Sequence, residues 1–137
     1  MEDPRNKISA FAHVSPNAII GTGNIIEVGV IIHDNVEIGD NNFIGAYTII
    51  GAKGEFINPP ERETLPKVMI GNNNTIREHV AIQASVLDFA TIIKNDCYIM
   101  EKTHIAHDCV LGNHVVIAPL TTLGGRVHLG DRVNCGQ

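Results

Sequence analysis

An aliphatic residue recurs every six positions along most of this chain, and that spacing restricts the fold more than any other feature. From Ile8 it runs through Val14, Ile20, Ile26, Ile32, Ile38, Ile44 and Ile50, breaks, and resumes at Ile70, Ile76 and Ile82. After a second break it continues as Ile93, Ile99, Ile105, Leu111, Ile117, Leu123, Leu129 and Cys135. Eighteen of these nineteen anchors are Ile, Leu or Val, types that fill 38 of 137 positions, so chance would give about 28 %. A period of six fits neither a helix nor a plainly alternating strand. It fits an all-β fold, a parallel β-helix in which each hexad is one short strand plus a corner and three hexads close a triangular coil.

The position two before each anchor is also restricted, to small or β-branched residues (Val30, Val36, Thr48, Cys97, Cys109, Val115) or to Asn (Asn24, Asn42, Asn74), which extends ladders of side-chain hydrogen bonds. Glycine often follows the anchor, as at Gly21, Gly39, Gly45, Gly51, Gly71 and Gly112. A tight corner that needs permissive backbone accounts for it. The composition agrees with a core of stacked aliphatics: 20 Ile stand against four Phe, two Tyr and no Trp. Nineteen hexads make about six triangular coils, a prism roughly 30 Å long at the spacing of paired strands.

Other classes fall away. A net charge of −5 with no basic block argues against a nucleic-acid partner. The apolar runs are too short for membrane insertion. Met1 to Lys7 is polar and lacks the apolar core of a signal peptide, so a cytoplasmic location is expected. Cys97, Cys109 and Cys135 are odd in number and show no CxxC spacing, which makes them small hydrophobes rather than a disulfide framework.

The expected organisation is a single β-helix domain over 1–137 with one protruding loop. That loop, 52–67, carries three prolines and six charged residues and cannot be strand interior. The second break, around Gln83 to Thr91, adds five residues to the frame and reads as a bulged corner. Residues 18 apart in an unbroken frame lie in adjacent coils, so His104 should stack under Thr122 and His107 under Gly125.

That register picks out the segment from Thr103 to Cys109. His107 is followed by Asp108, a carboxylate able to orient the imidazole of a general base, and a glycine amide lies one coil away. The other five histidines, His13, His33, His79, His114 and His128, show no such local partner. A metal site is the competing chemistry, since His104 and His107 have HxxH spacing. Three residues apart on one corner they point in different directions and no third ligand follows, so no metal is expected.

These residues carry a resemblance. The run Ile76-Arg77-Glu78-His79-Val80-Ala81-Ile82, then His104-Ile105-Ala106-His107-Asp108-Cys109, then Leu123-Gly124-Gly125, resembles the UDP-N-acetylglucosamine O-acyltransferases of lipid A biosynthesis, members of the hexapeptide-repeat acyltransferase superfamily. The resemblance implies a left-handed coil. It implies that His107 is the general base acting on the sugar 3-hydroxyl, Asp108 its partner, the Gly125 N–H the oxyanion donor and His104 a sugar-positioning residue. It also implies a 3-hydroxyacyl group on acyl carrier protein as donor substrate with no cofactor, and a homotrimer with sites between prisms, the 52–67 loop reaching towards a neighbour. Gln83 and Arg126 stand where the family often has histidines, which puts both on acceptor recognition. The family continues with further coils and a C-terminal helical domain, absent before Gln137, so a truncated chain or a partner-covered end is expected. An acetyl-CoA-dependent sugar O- or N-acetyltransferase and a non-catalytic scaffold remain the alternatives.

Overall fold

A computed structural model describes residues 5–136; Met1 to Pro4 of the polar N-terminal stretch, and Gln137, lie outside the described residues. Nineteen short strands, most of them two residues long, wind into a left-handed parallel β-helix. The first sheet has seven strands, running from Lys7–Ile8 to Asn134–Cys135, and the other two have six each. That is six full coils and one further strand, as the hexad count requires. All pairings are parallel and the anchors stay in register, Ile26 beside Ile44 and Ile105 beside Leu123.

Each two-residue strand uses the alternation of a pleated chain, one side chain out and the anchor in. Anchors from Ile26 to Ile117 stack down the axis, and eleven of them are less than 2 % exposed. Burying one such side chain stabilises the fold by about 1.5–3 kcal/mol. None of the six Phe and Tyr residues is in the core. The residues two before the anchors complete the core, and the asparagines among them form the expected ladder. Asn24 Nδ2 donates to Asn6 Oδ1 at 3.2 Å and Asn42 Nδ2 to Asn24 Oδ1 at 3.1 Å; Asn42 Oδ1 then accepts the Asn74 N–H at 2.9 Å. The ladder ends where Asn74 Oδ1 accepts from the Cys97 N–H at 2.9 Å. Cys97 and Cys109 are buried, and desolvation raises both thiols above their ordinary pKa.

The corners correct one expectation. At most corners the left-handed residue is the third after the anchor, not the first: Asn35, Asn41, Asn73, Asp96 and Asp108 have φ between 59° and 65°. Asn and Asp tolerate that region best among residues with a side chain. Of the glycines that follow an anchor, Gly51 and Gly136 have positive φ; the others do not. Gly21, Gly39, Gly45, Gly71 and Gly112 are needed for close approach between coils. A Cβ on Gly39 would lie 2.7 Å from the carbonyl oxygen of Gly71 in the next coil.

Both interruptions of the frame leave from the same edge of the prism, between the second and third sheets. The first lies between strands Ile49–Ala52 and Val68–Ile70, so Ala52 is strand and the loop proper is 53–67. The second lies between Ala81–Gln83 and Thr91–Ile93, and a register shift between Ile82 and Gln83 confirms a bulged exit. The two segments pack on one another. Ser85 Oγ accepts the Lys67 N–H at 3.1 Å, and Arg62 reaches the Asp88 carbonyl oxygen at 3.0 Å.

Candidate active site

His107 and Asp108 occupy that same edge, in the corner between His104–Ile105 and Val110–Leu111. Gly125 and Arg126 occupy it one coil later, between Thr122–Leu123 and His128–Leu129. The predicted stacking holds: His104 pairs with Thr122, and the Arg126 N–H donates to the His107 carbonyl at 3.0 Å. His107 Nδ1 lies 2.9 Å from Asp108 Oδ2. The left-handed turn at Asp108, φ 65°, allows neighbouring side chains to meet.

Asp108 is fully buried, and the second insertion explains how a carboxylate survives there. The backbone N–H groups of Val86, Leu87 and Asp88 converge on its two oxygens at 2.9–3.2 Å. Its own N–H donates to Thr91 Oγ1 at 2.9 Å. Desolvation pushes the carboxyl pKa up. The amides of Asp88 and Leu87, then the His107 ring, then the Val86 amide outweigh that and hold it below the ordinary aspartate value. An ionised Asp108 only accepts hydrogen bonds, so in the neutral imidazole Nδ1 carries the proton and Nε2 the lone pair. That nitrogen faces the next coil: a Cβ on Gly125 would lie 2.7 Å from Nε2. Among the described residues the Gly125 N–H has no hydrogen-bond partner.

The first loop covers the other side of the imidazole. The Phe56 ring meets it edge-on at 5.4 Å between centroids, and a Cβ on Gly54 would lie 2.9 Å from His107 Cβ. The base of the loop therefore folds over its own His107, while Ile57 near its tip is 90 % exposed.

Gln83 and Arg126, expected on the acceptor, both have protein partners. Gln83 is 5 % exposed; its Nε2 donates to Glu55 Oε1 at 2.8 Å, and its Oε1 accepts from the N–H groups of Glu55 and His107 at 3.3 Å. Arg126 makes a two-pronged pair with Asp88, Nε to Oδ2 at 3.0 Å and a terminal nitrogen to Oδ1 at 2.9 Å. His104 is half-buried on the outer face of the second sheet. Two of the other histidines do have partners, His79 stacked on Tyr47 at 5.4 Å and His114 3.7 Å from Asp96. Among the described residues no three His, Cys, Asp or Glu side chains come together as metal ligands. Phe56, Gly54 and the amides of 86–88 escaped the sequence reading. The five added residues were its one visible trace.

The bacterial transferase hexapeptide pattern of six repeats matches residues 90–125, the stretch that holds His104, His107, Asp108 and Gly125. The acyl-[acyl-carrier-protein]–UDP-N-acetylglucosamine O-acyltransferase of Thermodesulfovibrio yellowstonii is 54 % identical over 66 residues, 47 % of this chain and 26 % of that protein. This chain carries hexapeptide repeats and is similar to the UDP-N-acetylglucosamine O-acyltransferases. Structural likeness extends further along it. The UDP-N-acetylglucosamine acyltransferase of Bacteroides fragilis superposes with a TM-score of 0.75 at 27 % identity, over 88 % of this chain and 54 % of that one. LpxA of Acinetobacter baumannii gives 0.66 at 32 % identity, over 96 % and 56 %. The chain spans about half the length of those solved structures and matches about a quarter of the curated relative.

Proposed function

We propose that this chain holds the catalytic base of an O-acyltransferase that moves a 3-hydroxyacyl group from acyl carrier protein to the 3-hydroxyl of UDP-N-acetylglucosamine. One observation carries the reading: His107 Nε2, with Asp108 behind its ring, faces Gly125 in the adjacent coil, whose N–H has no hydrogen-bond partner among the described residues. The names of the similar proteins supply the donor and acceptor.

In this reading His107 Nε2 takes the proton of the sugar 3-hydroxyl as that oxygen attacks the thioester carbonyl carbon. The negative charge moves to the carbonyl oxygen, and the Gly125 N–H donates to it. The intermediate collapses with cleavage of the carbon–sulfur bond, and the imidazolium returns its proton to the departing thiolate. Asp108 stabilises the imidazolium and holds the tautomer. His104, on the second sheet beside this edge, helps position the sugar. The protein works as a cytoplasmic homotrimer whose neighbouring prisms complete the site. No helix among the described residues is long and apolar enough to cross a membrane.

The test is product mass spectrometry with UDP-N-acetylglucosamine and either a 3-hydroxyacyl carrier protein or acetyl-CoA. An O-acylated nucleotide sugar from the carrier-protein donor is expected, and product from acetyl-CoA alone would replace this reading with that of an acetyltransferase. His107→Ala should lower turnover by roughly 10²–10⁴, the usual worth of a general base. Full activity in that variant would exclude His107 as base.

A further inference from the structure

Asp88 sits in the second insertion with its polar groups taken up by three different parts of the chain. Its N–H donates to Asp108 Oδ1 at 2.9 Å, its carbonyl oxygen accepts from Arg62 of the first loop at 3.0 Å, and its carboxylate is gripped by Arg126 from the coil after that of Asp108. Arg126 is in turn tied to the base through its N–H to the His107 carbonyl at 3.0 Å. The contacts close a ring. It runs from the His107 carbonyl to the Arg126 backbone, through the guanidinium to Asp88, from the Asp88 N–H to the Asp108 carboxylate, and from that carboxylate back to His107 Nδ1.

We infer that the Arg126–Asp88 pair is a positioning clasp that holds the 84–90 segment closed over Asp108 and so fixes the orientation of His107. The inference rests on the reading of His107 as base. Without the clasp, the three amides that solvate Asp108 belong to a loop held by Arg62, by Ser85 against Lys67 and Phe89, and at its ends by the strands. An isolated exposed ion pair contributes little to stability. This one is two-pronged, which fixes geometry as well as distance, and both of its ends are bonded to the catalytic pair. Its contribution therefore falls on turnover rather than on folding. A guanidinium suits the task because lysine presents a point charge and no fork.

The experiment uses the 137-residue chain and reads backbone amide hydrogen exchange of Val86, Leu87 and Asp88 beside kcat and KM. In Arg126→Gln and in Asp88→Asn, exchange at those three amides should rise at least tenfold with the thermal midpoint unchanged. The value of kcat should fall roughly ten- to hundredfold, the scale of a misplaced catalytic group, with KM within twofold. Arg126→Lys should lie between these variants and the wild type. The exchanged pair, Asp88→Arg with Arg126→Asp, should restore both readouts. Unchanged exchange in Arg126→Gln overturns the clasp. Raised exchange with unchanged kcat overturns its bearing on the base. If the wild-type chain transfers no acyl group, the exchange measurement still decides the clasp, so the two failures are separable.

Discussion

A methyl group built on Gly125 would lie 2.5 Å from His107 Cε1 and 2.7 Å from Nε2, and Asp108 and Phe56 hold the ring from the other sides. The φ of Gly125 is not positive, so alanine fits the backbone and the conflict is with the imidazole alone. Gly125→Ala should therefore lower kcat roughly a hundredfold while changing stability by less than about 1 kcal/mol; steady-state kinetics beside chemical denaturation will check it, and unchanged kcat would refute the close packing. Asp108 gives a second prediction, in acid. Its carboxyl pKa is lower folded than unfolded, so its contribution to stability is fully present above the ordinary aspartate value. That contribution is lost as pH falls through the folded value. Unfolding free energies measured downward from about pH 4, the ordinary aspartate range, should drop less steeply in Asp108→Asn than in the wild type.

At the scale of single elements, two-residue strands would not persist alone, and their stability comes from what repeats between coils. The asparagine ladder shows how. Asn42 Nδ2 donates to Asn24 Oδ1 and to the Gly71 carbonyl, and its Oδ1 accepts from Asn74. Asn42→Val keeps a side-chain type found at equivalent positions such as Val36 and Val80, yet leaves the Asn74 N–H buried without that acceptor. The expected cost is about 1–3 kcal/mol, measured by urea denaturation, and a neutral result would show that the neighbouring coils close over the gap. The insertions are the other elements of consequence. Their proline-rich or irregular composition announced that they leave the frame. That they leave from one edge, and that the second turns three amides inward onto Asp108, depends on contacts between residues 20 or more apart.

Apart from the two insertions, each coil of the prism touches only the coils above and below, so the stability of the prism is a sum of nearest-neighbour terms. Ile99 lies mid-prism, fully buried between Ile76 and Ile117 in the first sheet. Ile99→Ala should cost about 2–5 kcal/mol. Hydrogen exchange should show the loss first in the adjoining strands Thr75–Ile76 and Val116–Ile117 rather than in Lys7–Ile8. Uniform loss along the prism would show that the coils unfold as one unit.

The hexad spacing by itself determined the coil, the inward anchors, the coil count and the register that sets His107 beside Gly125. Each of these follows from a period repeated along the chain. The pairing of His107 with Asp108 was legible for the same reason, since the two are adjacent in sequence. The corner glycines were misread because their role is clearance between coils, which no local pattern records. The acceptor roles expected of Gln83 and Arg126 rest on a family position. Their partners within the chain, Glu55 and Asp88, lie 28 and 38 residues away across two insertions that follow no period. Only the tertiary structure decides what an aperiodic segment touches. In this chain those segments enclose the edge that carries His107 and Asp108.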